Sequence, residues 1–485
     1  MISKWLTKNR GLILIIITGL VFSTWGINSW KFSFVGDEWP FYSYAVDIAN
    51  GAIPLDVFKL DGVYGYHPIM GSLWPALFIK LFGSSNFVWR LSVTILIVPI
   101  TIYFYFWVKE LFGKTHAIFS TILLVCSAFI ANYLKIGYNN SISFTLFIVS
   151  IYYATLVGKS GKYKDAILLG IFLGFGFYIY LGPLVPFFIT PLVLPLLIRD
   201  RTRAIRSYAL MVFISLSIIS IGFLLREIPP NYFSKSILEP EFTSNIQILR
   251  NISHNFLVFF NNYDFQSNHF IDGPYFDYLS QLLIVCAICI TLLRRKTLSI
   301  LLVITTYIVT AVLIGVTSPY SYSPITRGVF LIPFGALFGG ITLTYLYEKK
   351  HAYMKYIAGV IVCLVFILNF YQSQYGVFAT VGHHYNAYIL QELQLIKSAE
   401  SNQSVTAILP VQAGFNTSNM DILQQAYGLE SINFSFSNFD DISCNNASHN
   451  RLLLRSEDIS QFTNRIQTRC PTVGTIIPIT NYYFY

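Results

Sequence analysis

Residues 36–51 read GDEWPFYSYAVDIANG, followed by YHPIMGSLWPALFIKLFG at 66–83 and FVWRLSV at 87–93. Asp37, Glu38, Asp47, Asp56 and Asp61 fall in this stretch, directly after a long apolar run. Carboxylates this dense beside a membrane span are costly unless they face water or a substrate. Asp37 is placed to cap a helix through Asn50, with Pro40 tolerated in the first turn and Gly51 ending it. Such a helix puts Phe41, Tyr44, Ala45 and Ile48 on one face, suited to lying along the membrane surface. After His67-Pro68, the apolar run from Ile69 to Phe82 is too short to cross a bilayer comfortably and reads as a second interfacial helix. The stretch is expected to form a polar pocket roofed by two surface helices.

The rest of the chain sets the context. Of 485 residues, 54% are hydrophobic and 11% charged, with a mean hydropathy of +0.58. Repeated apolar runs separated by short basic connectors define a multi-pass membrane protein. The net charge of +9 would suggest nucleic acid in a soluble domain, but here the basic residues sit in connectors on one side, which speaks against nucleic-acid binding. Residues 11–30 follow Lys4, Lys8 and Arg10 and are too long for a signal-peptide core, so they read as a retained span.

Eleven spans are expected, at roughly 11–30, 86–108, 116–134, 141–157, 166–181, 183–198, 207–225, 278–293, 298–316, 328–346 and 352–375. Leu181-Gly182-Pro183 is the only break between the fifth and sixth and is read either as a loop or as a kink. The gaps on the N-terminal side carry twice the Lys and Arg of the opposite gaps, which puts the N-terminus in the cytoplasm. The long outer loops are then 31–85 and 226–277. Inner connections are too short for a nucleotide-binding domain, and no GxxxxGK[ST] loop occurs, so ATP-driven transport is not expected.

From residue 376 the composition turns polar and rich in Asn, Ser and Gln. Helices are expected at 385–399, 421–427 and 456–466, and strands at 405–411, 432–436, 452–454 and 473–479, making residues 376–485 a small α/β domain outside the membrane. Cys444 and Cys470 are the only cysteines beyond the spans and are candidates for a disulfide. Cys126, Cys286, Cys289 and Cys363 lie in spans and read as packing residues.

Taken in order, these features resemble the GT-C membrane glycosyltransferases that use polyprenyl-phosphate sugars, closest to the branch of protein O-mannosyltransferases and the aminoarabinose transferase of lipid A. The residues carrying the resemblance are the acidic pair Asp37-Glu38, His67-Pro68 before a helix ending Leu81-Phe82-Gly83, Arg90 in the next span, and Arg327 ahead of Pro333. They cover residues 1 to about 350; Ile69 and Asn139-Asn140 depart from the pattern. The resemblance implies an all-α polytopic membrane fold of GT-C type, catalytic over residues 1–375. It also implies an undecaprenyl-phosphate sugar donor and no required cofactor. The layout is similar to serotype-converting glucosyltransferases that add glucose to the O-antigen of lipopolysaccharide. The bacterial inner membrane, with catalytic loops and tail in the periplasm, is the location this implies.

The chemistry needs a base for the acceptor hydroxyl and cations for the leaving phosphate. Asp37 is the candidate base, with Glu38 orienting the base or the acceptor. His67, Arg90, Arg226 and Arg327 are candidates for the phosphate, each at the outer edge of a span. Tyr44, Asp47 and Tyr66 are candidates to line the acceptor pocket. Asp37 read only as a helix cap, and the arginines read as snorkelling to bulk lipid, are the structural alternatives. Asp47, Asp56 and Asp61 read as solvated surface or, alternatively, as a divalent-metal site. A flippase or other polyisoprenoid transporter is the alternative class, but a transporter should place charge near mid-membrane, whereas these charges cluster at span ends.

Overall fold

The computed structural model describes residues 9–27, 38–65, 67–137, 140–179, 184–197, 201–225, 245–260, 262–263, 273–293, 298–317, 325–373, 405–410, 432–437, 451–455 and 476–479. The helices of eight residues or more among them are α1 (Arg10–Thr24), α2 (Glu38–Asn50), α3 (Met70–Phe82), α4 (Asn86–Thr94), α5 (Ile97–Phe112), α6 (Lys114–Val125), α7 (Ala128–Lys135) and α8 (Asn140–Ser160). They continue with α9 (Tyr163–Gly176), α10 (Leu184–Leu197), α11 (Arg201–Leu225), α12 (Asn245–Phe256), α13 (Tyr278–Leu293), α14 (Leu298–Thr317), α15 (Ile332–Tyr347) and α16 (Ala352–Tyr371). Each expected span carries a helix.

By length and composition alone, six helical stretches among the described residues can cross a bilayer, or seven if the bent pair α6–α7 counts as one. The difference from eleven has local causes. Helix α1 stops at Thr24, α9 and α10 have 14 residues each and α13 has 16, short of the roughly 20 a bilayer requires. The expected continuous span at 116–134 is instead two helices bent by 55°. At the break, Ser127 leaves the helical region and its hydroxyl accepts the Ile130 N–H as the cap of α7.

Small residues let the helices approach closely. A Cβ on Gly170 would lie 2.8 Å from the Met211 carbonyl oxygen, and one on Gly174 would lie 2.7 Å from Ile218 Cβ, so α9 and α11 meet along a Gly-x-x-x-Gly face. Gly340 does the same for α15 against Ser120 of α6. The core between these layers is aromatic and aliphatic, with Trp107, Phe104, Phe129, Phe330 and Phe334 fully buried. Within it the Trp107 indole donates to the Thr155 hydroxyl at 3.0 Å.

Beyond the helices lie β1 (Asn262–Tyr263), paired antiparallel with β2 (Gly273–Pro274), and a four-stranded parallel sheet in the order β4-β3-β5-β6. Its strands are β3 (Val405–Pro410), β4 (Ile432–Ser437), β5 (Arg451–Arg455) and β6 (Ile476–Ile479), at the expected strand positions. Parallel pairing, with Val405 opposite Ile432 and Leu452 opposite Ile476, requires crossovers between strands. The helices expected at 385–399, 421–427 and 456–466, and both Cys444 and Cys470, lie outside the described residues.

Candidate active site

Helix α2 begins at Glu38, whose carboxylate is fully buried. A lone buried carboxylate is prohibitively costly, and its compensation comes from two other segments. Arg90 on α4 grips it with both amines, Nη1 to Oε1 at 2.8 Å and Nη2 to Oε2 at 3.1 Å. The Trp89 indole donates to Oε1 at 3.1 Å, and the Gly137 backbone N–H donates to the same oxygen at 2.6 Å. Arg90, itself 1% exposed, also donates from Nε to Asn86 Oδ1 at 3.2 Å and from Nη1 to the Lys135 carbonyl. One node thus ties the start of α2 to α4 and to the end of α7.

Gly137 is required by shape as well as by its N–H. A Cβ there would lie 2.1 Å from Trp89 Nε1 and 2.3 Å from Cε2, inside the indole. The Trp89 ring in turn packs edge-on to Tyr42 of α2, with centroids 5.6 Å apart.

The expected apolar face of α2 exists but points inward. Phe41, Ala45 and Ile48 are buried, together with Tyr42 and Val46, and α2 packs on α3 rather than lying open on a membrane surface. The reason is α3, which packs against that face. Gly51, at φ +80°, ends α2 as expected.

Residues 59–69 fold back on themselves ahead of α3. The Ile69 N–H donates to the Lys59 carbonyl at 3.1 Å, and Gly62 N–H donates to the His67 carbonyl at 2.8 Å. Gly62 has to be glycine, because a Cβ would lie 2.3 Å from that carbonyl oxygen. Tyr64, at φ +58°, sits in the left-handed region, a strained setting for a bulky residue. Its ring lies 5.9 Å from His67 and 6.3 Å from Phe41, and His67 lies 5.2 Å from Phe41. Burial pushes the His67 imidazole down to about 4, so at neutral pH it is an uncharged hydrogen-bonding group rather than a cation.

The candidate residues therefore divide. Glu38 and Arg90 come together, which makes Arg90 an internal partner of Glu38 rather than an open cation at the headgroup level. His67 stands against α2 through Phe41. Tyr44 and Asp47 also lie on α2; burial pushes the Tyr44 phenol up, and the Asp61 and Asp47 carboxylates add to it, while burial alone raises Asp47. Arg327 lies half-buried on a separate short turn, Ile325–Gly328, ahead of buried Val329–Leu331. Asp37, Tyr66 and Arg226 lie outside the described residues. Among the described residues, no group of three His, Cys, Asp or Glu side chains is placed to hold a metal ion.

Sequence reading missed Asn86, Trp89, Lys135 and Gly137. None belongs to a recognisable motif, and only folding brings positions 86–90 and 135–137 onto Glu38. Lys135, fully buried at the end of α7, is a further ionisable group of this region.

A second polar junction ties the same layer together from the far side of α7. Asp277 caps α13 through the Leu279 and Ser280 N–H groups, each at 3.0 Å, and accepts from Asn369 Nδ2 at 2.7 Å. Asn369 Oδ1 accepts the Ala128 N–H at 3.0 Å, so α7 is held at its beginning by α16 and at its end by Arg90.

Residues 66–223 match the dolichyl-phosphate-mannose-protein mannosyltransferase family. No curated protein matches the chain in sequence. Among solved structures, ArnT from Cupriavidus metallidurans bound to undecaprenyl phosphate is similar at a TM-score of 0.55 and 12% identity, over 97% of this chain and 90% of that one. Its apo state gives a TM-score of 0.56 at 10% identity, over 96% and 89%. The oligosaccharyltransferase of Archaeoglobus fulgidus, in complex with Zn and sulfate, gives a TM-score of 0.54 at 13% identity over 90% of this chain. The chain spans 63% of the length of that archaeal enzyme. The chain thus shares its fold with ArnT and the archaeal oligosaccharyltransferase, and about a third of it, residues 66–223, is similar in sequence to the mannosyltransferase family.

Proposed function

We propose that this protein is an inverting glycosyltransferase that moves a sugar, glucose as the leading case, from undecaprenyl phosphate to a hydroxyl of a periplasmic glycan such as O-antigen. The observation that carries the reading is the buried Glu38–Arg90 node, which anchors the first turn of α2 directly after Asp37 in the chain. A carboxylate that must act as base has to be held in one place, and a fully buried charge pair with four further hydrogen bonds is an effective anchor.

In the reaction, Asp37 takes the proton of the acceptor hydroxyl as its oxygen attacks the anomeric carbon. The bond from that carbon to the phosphate oxygen breaks, and polyprenyl phosphate leaves with the electron pair. One displacement inverts the anomeric centre. Glu38 and Arg90 act as positioning residues. His67, neutral at working pH, donates a hydrogen bond rather than charge, and Arg226 and Arg327 are the cations for the departing phosphate. Tyr44, Asp47 and Tyr66 line the acceptor side, and the C-terminal parallel sheet belongs to a periplasmic domain with a Cys444–Cys470 disulfide. The membrane is a bacterial inner membrane with the N-terminus in the cytoplasm.

The test is release of polyprenyl phosphate when purified protein meets polyprenyl-phosphate glucose and O-antigen. Asp37→Asn abolishes release with unfolding temperature unchanged; normal turnover by that variant removes Asp37 as base. Release that requires lipid A or a protein substrate instead would keep the chemistry and replace the acceptor.

A further inference from the structure

Helix α12 buries polar side chains and leaves large apolar ones open. On its packed side Asn251 and Asn255 are both fully buried, beside Ile252 and Phe256. Its open side carries Ile246 at 76% exposure and Leu249 at 64%, and Leu257, one residue past the helix, at 55%, with Arg250 and Ser253 exposed on the same stripe. In water that arrangement wastes apolar surface; against hydrocarbon it is the stable one.

The depth of α12 is set by its contacts with α14, one of the helices long enough to cross the membrane. The two run antiparallel. Ile252 seats on Gly315, where a Cβ would come within 2.6 Å of Ile252 Cγ1. Three residues further along, Asn255 Nδ2 donates to the Ala311 carbonyl at 3.0 Å. The Tyr307 hydroxyl then donates to the Asn255 and Phe256 carbonyls at 3.1 and 3.0 Å. Ala311 lies six residues inside the Thr317 end of α14, about 9 Å at 1.5 Å per residue. Leu257 is therefore at hydrocarbon depth, whereas Arg250, almost two turns earlier, is level with the end of the span, where lipid phosphates lie.

The helix end is built for a site without water. Its last carbonyls, which would be orphaned in a bilayer, are taken up by Tyr307. The following turn, Val258–Phe260, continues inward, with Phe259 against Phe276 at 5.8 Å and beside Gly335.

We propose that Asn245–Phe260 is a re-entrant segment seated in one membrane leaflet, and that its open stripe binds a bulk anionic phospholipid. Arg250 takes the phosphate, and Ile246, Leu249 and Leu257 take an acyl chain. The assignment depends only on the chain spanning a membrane and is independent of the transfer chemistry above.

The test uses the full-length protein in vesicles of phosphatidylethanolamine and phosphatidylglycerol, with p-benzoylphenylalanine placed at Leu249 or Leu257. Phe213, 69% exposed on the membrane-spanning helix α11, is the positive control. Illumination should give phospholipid adducts at 249 and 257, as at 213. Arg250→Gln should lower the share of phosphatidylglycerol among adducts at 249 by roughly fivefold, and Arg250→Lys should keep it. Adducts at 213 but none at 257 would overturn the insertion. Adducts at 257 only with another part of this chain would overturn it equally. Preferential capture of added polyprenyl phosphate over phosphatidylglycerol would overturn the bulk-lipid assignment.

Discussion

Arg90 and Glu38, fifty-two positions apart in the chain, form a two-point charge pair sealed from solvent, with Arg90 1% exposed and Glu38 fully buried. Removing one partner strands the other charge in a dry site, which typically costs about 3–5 kcal/mol. Arg90→Ala and Glu38→Ala should each lower the apparent unfolding temperature markedly. The double variant should lose far less than the sum, because neither charge is then left alone. Thermal unfolding of the four proteins in nanodiscs checks this; additive losses would show that the pair is not coupled.

Gly137→Ala tests the same node from the backbone side. The new methyl would land on the Trp89 indole, and making room moves either Trp89 or the N–H that Glu38 accepts. Overpacking of this kind costs about 1–3 kcal/mol. If α2 carries the base as proposed, turnover should fall more than stability, since the start of α2 is displaced. Unchanged kcat would argue that α2 tolerates the shift.

His67 predicts a pH dependence. Its imidazole sits at about 4 in the folded protein against an ordinary 6.5, so between those values the unfolded chain binds a proton that the folded protein refuses. Stability is fully present above pH 6.5, declines as pH falls towards 4, and levels off below. The total loss from this group is at most about 3 kcal/mol. His67→Gln should flatten that part of the curve; an unchanged acid profile would show that His67 is not the group responsible.

Asn369→Leu should weaken α7 at its other end. The leucine matches the volume but removes the acceptor for Ala128 N–H and the donor to Asp277, leaving both buried and short of a partner. A loss of about 2–4 kcal/mol follows from two groups at roughly 1–2 each. Asn369→Asp, which keeps the acceptor but sets a second carboxylate beside Asp277, should be no better. Unfolding temperatures of the two variants decide it.

Much of the fold was legible in the linear pattern. Apolar runs of about twenty residues bounded by basic connectors marked the spans, and Gly51 marked the end of α2, because each of these is a local constraint of solvent or backbone. The strands β3 to β6 were legible for the same reason, as short apolar runs in polar surroundings. The bend between α6 and α7 was not, since Cys126-Ser127 is unremarkable in a membrane helix and the break depends on how Ser127 and Asn369 serve the next helix start.

For the site, the acidic pair was visible because two carboxylates beside a membrane need an explanation, and Arg90 was visible because a cation at a span edge does too. What the amino-acid order settled alone is the class of environment: a membrane chain with a charged segment early in its length. That Arg90 belongs to Glu38, that Trp89 and Gly137 complete its cradle, and that α12 leaves Ile246 and Leu249 open were decided only by tertiary packing. Charge compensation in a dry interior is a property of distances between remote segments, and no local pattern encodes it.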